Sequence, residues 1–95
     1  MYARVITTQV QHNRLDEVNR LWQEQLLPIV KGLAGFKGNL LLQDPNTGKS
    51  LLILLWANEI DLKAGEATPI FKQQFSHIAG YFVGTPLREA YQVSL

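Results

Sequence analysis

The sequence predicts an α+β domain in which one four-stranded antiparallel sheet carries both helical regions on a single face. Strand-like and helix-like periodicities alternate in the order strand, helix, strand, strand, helix, strand. Residues 51–56 (Leu-Leu-Ile-Leu-Leu-Trp) form an unbroken apolar run, which is typical of a strand covered on both faces. A chain of 95 residues has too few helices to cover both faces, so we expect a second copy to cover one of them.

The first half of the chain reads as a strand followed by a long helix. Residues 4–11 are rich in β-branched side chains, which favour a strand. Asn13 has the position of a helix N-cap, and apolar residues then recur at spacings of three or four over residues 15–33. Pro28 lies inside this pattern, and we expect it to kink the last turns because proline has no backbone donor.

The next segment reads as a hairpin and a helix start. Strands at residues 39–44 and 50–57 are joined by a five-residue connection, Pro-Asn-Thr-Gly-Lys, with the chemistry of an antiparallel turn. Asn58 is the expected N-cap of the second helical region, which Gly65 interrupts. Thr68 and a proline after it supply a new helix start.

The last segment reads as an amphipathic helix and a strand. The helix ends at Gly84 and Pro86, and the strand occupies residues 89–95. One apolar stripe marks the buried side of this helix: Phe71, Phe75, Ile78 and Phe82.

Each half of the chain is predicted to form a strand-helix-strand unit. Two such units give the ferredoxin-like βαββαβ topology within a single domain spanning residues 1–95. The face of the sheet without helices would expose the apolar third strand, and monomers seldom expose so large an apolar patch. We therefore expect two sheets to pack face to face in a homodimer, as a dimeric α+β barrel.

Composition excludes several classes of function. The net charge is +1 and the nine Lys and Arg residues are scattered, so no nucleic-acid surface is expected. There is no cysteine, His12 and His77 share no metal-ligand spacing, and no dinucleotide motif occurs, so we expect neither metal nor cofactor. The longest apolar run is far shorter than the ~20 residues of a membrane span. The first four residues lack the features of a signal peptide, which favours a cytoplasmic location.

Two segments resemble a known family. Residues 32–58, GLAGFKGNLLLQDPNTGKSLLILLWAN, carry Gly-Phe-x-Gly, an apolar strand, a turn with Asp and Gly, and a second apolar strand ending in Trp. Residues 84–95, GTPLREAYQVSL, carry Pro-Leu followed by a strand with Tyr-x-Val. Both resemble the antibiotic biosynthesis monooxygenase-like (ABM) domain of the dimeric α+β barrel superfamily.

The resemblance implies a homodimer with a pocket between sheet and helices. The family includes cofactor-free oxygenases of aromatic polyketides, haem-degrading enzymes, isomerases that process signals, and proteins with no assigned role. The haem-degrading members use an Asn, a Trp and a His. In this chain Ile6 or Thr7 stands where those enzymes have the Asn, and Gly65 stands where they have the Trp. Only the His has a counterpart, His77, so the resemblance disfavours haem degradation.

Five residues are candidates for the pocket. His77 aligns with Gln74 and Tyr81 along one flank of the last helix and is the candidate general base, because a neutral imidazole accepts a proton near pH 7. Thr7 and Trp56 complete the expected substrate-binding set. The alternatives are a surface role for His77 and core packing for Trp56.

Two functions follow from these residues and the resemblance. One is a cofactor-independent monooxygenase-like or isomerase-like protein that binds a small aromatic or carbonyl-rich metabolite between sheet and helices. The other is a non-catalytic dimer that binds a ligand or acts as a scaffold.

Overall fold

The computed structural model describes residues 1–94 and contains one antiparallel sheet in the strand order β2-β3-β1-β4. Both helical regions lie on one face, which confirms the predicted ferredoxin-like topology. The strands are β1 (Tyr2–Gln9), β2 (Phe36–Gln43), β3 (Lys49–Trp56) and β4 (Leu87–Gln92).

The predicted strand boundaries are shifted by one residue at β3 and by two or more residues at the other three strands. β1 begins two residues earlier than predicted and ends at Gln9, beyond which Val10 forms an isolated bridge with Phe82. β2 begins at Phe36, because Gly35 alone reverses the chain with a φ of 80° and Phe36 already pairs with Trp56. β4 also begins two residues earlier than predicted, and Leu95 lies outside the described residues.

The first helical region consists of a 3-10 turn (His12–Arg14), α1 (Leu15–Leu21), a π-helical turn (Trp22–Leu26) and α2 (Leu27–Lys31). The prediction that Asn13 caps the helix is wrong. Asn13 lies inside the 3-10 turn with φ −95° and ψ 15°, and α1 begins only after Arg14.

The π-helical turn ends two residues before Pro28, and the Leu27 N–H that follows it donates to the Trp22 carbonyl five residues earlier. A proline cannot pair with the carbonyl four residues before it, so an irregular turn at this point is the physical consequence. The expected kink therefore takes the form of one wide turn.

The second helical region consists of α3 (Glu59–Glu66) and α4 (Pro69–Ala79). Asn58 caps α3 as predicted, since its Oδ1 accepts a hydrogen bond of 2.8 Å from the Asp61 N–H. Thr68 has the N-cap position of α4, but its hydroxyl donates to the Gly65 carbonyl at 2.8 Å.

Two expectations about glycines are wrong. Gly65 does not interrupt α3 but lies buried within it, because the ring of Trp56 packs where a side chain would be. α4 ends at Ala79 and not at Gly84, and Phe82 is then free to pair with the end of β1.

The core lies between the sheet and the helices. The largest fully buried side chains come from both layers: Trp56, Phe71, Ile6, Leu26, Leu54, Leu62, Val10 and Val30. Within residues 1–94, no helix has the length and apolar character needed to cross a membrane.

Candidate ligand-binding cavity

The pairing register sorts the strand residues onto two faces. Ile6 lies opposite Leu52, and Leu41 also lies opposite Leu52, so all three face the helices. Residues one position away face the other side, which we call the open face. Its members are Ala3, Val5, Thr7, Leu40, Leu42, Leu51, Ile53, Leu55, Leu87, Glu89 and Tyr91.

A small cavity lies between the sheet and the helices, and the centre of a water molecule can move through about 30 Å³ of it. The sheet forms its floor with side chains from the three strands β1, β2 and β3: Ile6, Thr8, Leu41, Ser50 and Leu52.

The helices and the segment after α4 form the roof of the cavity. Its side chains are Val18, Trp22, Phe75, Ile78 and Phe82. Trp22 is the first residue of the π-helical turn, and such turns occur often at functional sites.

The wall of the cavity is almost entirely apolar and contains no ionisable side chain. The polar members are the hydroxyls of Thr8 and Ser50, and the Ser50 Oγ donates to the Gly48 carbonyl at 3.3 Å. A cavity of this character excludes water readily and suits an apolar molecule.

The structure places Thr7 and Trp56 outside the cavity wall. Thr7 points to the open face, where it lies opposite Leu51 and Leu87. Trp56 is fully buried in the core, edge-on to the ring of Phe36 with 5.6 Å between ring centroids. Trp56 therefore packs in the core, as its alternative interpretation proposes.

The three candidates on the last helical region also lie outside the wall. His77 is exposed in the last turn of α4, and Gln74 is half-buried with its Oε1 buried. Tyr81 is hydrogen-bonded to Glu17, which raises the pKa of the tyrosine above its ordinary value. The structure therefore gathers none of the five predicted residues around the cavity.

Sequence reasoning missed Thr8, Ser50 and Trp22 as wall residues. The sequence does carry a signal for Ser50, because residues at even spacing along a strand share one face and Ser50 shares the face of Trp56, for which core packing is the alternative interpretation. No such signal separated Thr7 from Thr8, since both are β-branched residues in a strand without strict alternation.

An ion-pair cluster lies next to the cavity on the helix-facing side. The buried Glu66 carboxylate accepts from Arg4 Nε at 3.0 Å and from Arg88 Nη2 at 2.9 Å. The Arg88 guanidinium also lies 5.7 Å from the ring centroid of Phe75, a cavity-roof residue. The cluster therefore fixes the end of α3 against β1 and β4. Among residues 1–94, no group of three potential metal ligands occurs.

Comparison with known proteins shows the fold. No protein-family model matches the chain. A comparison with curated proteins also finds no match. Among solved structures, SnoaB from Streptomyces nogalater, a cofactor-independent oxygenase, superposes with a TM-score of 0.84 at 14% identity, over 99% of this chain and 93% of that chain.

Two further structures are similar. An antibiotic biosynthesis monooxygenase has a TM-score of 0.81 at 16% identity over 100% of both chains. A conserved protein from Methanosarcina mazei Go1 has a TM-score of 0.83 at 18% identity, over 99% of this chain and 94% of that chain. The chain thus has the fold of the ABM domain, and the expected resemblance is confirmed at the level of the fold.

Proposed function

We propose that the protein binds a small apolar or aromatic molecule in the cavity between sheet and helices. The observation that carries this proposal is the almost wholly apolar cavity roofed by Trp22 at a π-helical turn. Core interiors normally close such space, because unfilled volume costs packing energy. The retained apolar cavity is therefore the feature from which we infer an occupant.

The ligand must displace part of the roof. The cavity is much smaller than the ~300–1,000 Å³ of usual ligand pockets. Trp22 belongs to a turn with wider hydrogen bonding than an α-helix, and Phe82 lies in the segment after α4, held by a bridge to Val10. These two side chains are the parts of the roof that we expect to move.

We also infer that the open face packs against a second copy of the chain. Leu40, Leu42, Leu87 and Tyr91 are each about half exposed there, at 49–57%. Such a patch is typical of a subunit interface and not of a monomer surface. Tyr91 donates to Glu89 at 2.5 Å, so the carboxylate on this face already has a hydrogen-bond partner.

Native mass spectrometry of protein purified from its own host tests the ligand proposal. We expect a dimer that carries a bound mass of up to one molecule per chain. Val18→Phe, which fills the roof of the cavity, should abolish the bound mass. The matched control Val83→Phe enlarges an exposed valine outside the wall and should retain it. A bound mass that survives Val18→Phe would contradict the proposal.

A second candidate is a cofactor-independent oxygenase or isomerase, because a structural neighbour is a cofactor-independent oxygenase and the cavity excludes water. In such an oxygenation a base removes a proton beside a substrate carbonyl, and the carbanion reacts with O₂. A methylene then becomes a carbonyl and the second oxygen atom leaves as water.

His77 stays the proposed base for this second candidate, although a substrate must extend beyond the cavity wall to reach it. Oxygen uptake with an identified substrate should fall at least about tenfold in His77→Ala. The matched control is His12→Ala, which alters the other exposed histidine. Equal rates in both variants would remove His77 from this role.

A further inference from the structure

Two arginine side chains share one buried carboxylate on the helix-facing side of the sheet. The Glu66 side chain is only 7% exposed, and its Oε1 atom accepts from both Arg4 and Arg88. Among residues 1–94, no second carboxylate lies within 4.0 Å of either guanidinium group. Two positive groups and one negative group leave this cluster with a net charge of +1.

The bonds to Glu66 use only part of each guanidinium group. Arg4 donates from its Nε atom to both carboxylate oxygens, at 3.0 and 3.2 Å, so its Nη1 and Nη2 groups take no part in the pair. Arg88 donates from Nη2 at 2.9 Å, which leaves its Nε and Nη1 groups outside the pair. Guanidinium N–H groups of this kind bind the two oxygen atoms of a carboxylate through parallel hydrogen bonds.

The surface beside Arg4 is open to solvent. Ala90 of β4 lies directly opposite Arg4 on the same face of the sheet, and it is exposed. Its neighbours on that face of the edge strand, Arg88 and Gln92, are exposed as well, so the helices leave this part of β4 uncovered. The Arg4 side chain keeps 17% of its surface exposed, and the small side chain of Ala90 leaves room for an ion beside it.

The charge of the cluster selects the class of anion. A monoanion neutralises the excess charge of +1. A dianion such as phosphate places a further negative charge beside the Glu66 carboxylate, and like charges repel most strongly where water is partly excluded. A carboxylate therefore suits the cluster better than a phosphate.

We propose that Arg4 and Arg88 bind the carboxylate group of a small molecule at the surface above Ala90. Glu66 then acts as a positioning residue that holds both guanidinium groups together. All of these residues lie outside the cavity wall, so the inference goes beyond the proposed function and does not depend on it.

Propionate and propionamide make a matched pair of probes, because they have the same outline and only propionate is charged. Each dissociation constant is measured by NMR titration at low ionic strength, since salt screens charges near the surface. The readout is the Nε–H signal of Arg4. We expect propionate to shift this signal saturably and to bind at least about tenfold more tightly than propionamide. Inorganic phosphate is the third probe and should bind more weakly than propionate.

Two variants locate the site. Arg88→Met removes one guanidinium group, and Ala90→Leu fills the space beside Arg4 while all three charged groups stay in place. Both should weaken the binding of propionate at least about tenfold. The matched control is Arg14→Met, because the Arg14 side chain is 45% exposed against 41% for Arg88 and also pairs with one glutamate, Glu17. It removes the same charge and should leave the affinity unchanged.

Three results would overturn the inference. Propionate could bind the wild type no more tightly than propionamide, which would leave the cluster a purely structural contact. Arg88→Met or Ala90→Leu could bind propionate as Arg14→Met does, which would place the carboxylate elsewhere. Phosphate could bind more tightly than propionate, which would exclude selection of a monoanion. None of these results bears on a ligand in the cavity, because the signal that is measured belongs to Arg4.

Discussion

The absence of a side chain at Gly65 allows α3 to pack closely against the ring of Trp56. A Cβ atom at this position would lie 2.7 Å from Cζ3 of the Trp56 ring, well inside van der Waals contact. Trp56 is fully buried and packed on Phe36, so the ring has little room to retreat. The glycine is thus explained by a close approach of helix and strand, and not by a turn.

We predict that Gly65→Ala lowers the free energy of unfolding by about 1–3 kcal/mol, because the added methyl group overpacks the core. Gly32→Ala is the control, since the nearest atom to a Cβ there lies at an ordinary 3.5 Å. Urea denaturation of both variants measures the difference. Equal midpoints would show that α3 can shift away from Trp56 at no cost.

Phe75 and His77 are two positions apart on α4 and differ sharply in their surroundings. The ring of Phe75 stacks on Phe71 at 6.1 Å and meets Phe82 edge-on at 6.0 Å, whereas His77 is exposed. Phe75→Ala should therefore cost about 3 kcal/mol of stability, and His77→Ala should stay within about 0.5 kcal/mol of the wild type. A comparable loss in His77→Ala, measured by urea midpoints, would identify it as a structural histidine.

Substitution of Glu66 tests how much its ion pairs with Arg4 and Arg88 contribute to holding α3 against the sheet. Glu66→Gln keeps the size of the side chain but leaves the Arg4 and Arg88 guanidinium groups without their shared counter-charge. We predict a loss of about 2 kcal/mol, measured by thermal or urea unfolding.

Glu24→Gln is the matched control for this prediction. It removes an exposed i,i+4 pair with Arg20 at 3.4 Å and should change stability by less than about 0.5 kcal/mol. Equal effects of the two substitutions would show that the Glu66 cluster contributes no more than a surface ion pair.

The sequence predicts elements well where one physical signal dominates. The hairpin between β2 and β3 follows from its turn residues, and the stripe through Phe71 and Ile78 follows from helical spacing. The cap at Asn58 follows from its side-chain chemistry. The π-helical turn before Pro28 could be predicted only as a kink, because proline removes a hydrogen bond without fixing how the chain adjusts.

The candidate site was harder to predict, because it depends on which face each strand residue takes. Thr7 and Thr8 are chemically alike, and one step along β1 moves a side chain from the open face to the cavity. The long apolar run of β3 suits both faces and does not fix the register by itself. The pairing of β3 with β1 and β2 defines which of its side chains share a face, and it places Leu52 and Leu54 towards the helices.

At the scale of the whole molecule, the register defines which substitutions test the dimer. Ile53→Lys with Leu55→Lys places two charges on the open face without altering the core residues Leu52 and Leu54. We predict that this double variant is monomeric or aggregates at micromolar concentration, whereas the wild type sediments as a dimer.

The control for the dimer is Ile60→Lys, which changes a residue of α3 that is 78% exposed and lies outside the sheet. This variant should remain dimeric in sedimentation velocity. A wild-type protein that sediments as a stable monomer would exclude pairing through the open face.

The two tryptophans provide the most direct test of the cavity as the ligand site. Trp22 lines the roof, whereas Trp56 packs on Gly65 outside the cavity wall, so each indole N–H reports on a different part of the molecule. The measurement is a ¹⁵N-correlated NMR titration of the wild type with acetophenone. We predict that the Trp22 indole signal shifts and saturates while the Trp56 signal stays in place. An unmoved Trp22 signal, or a saturable shift confined to Trp56, would contradict binding in the cavity.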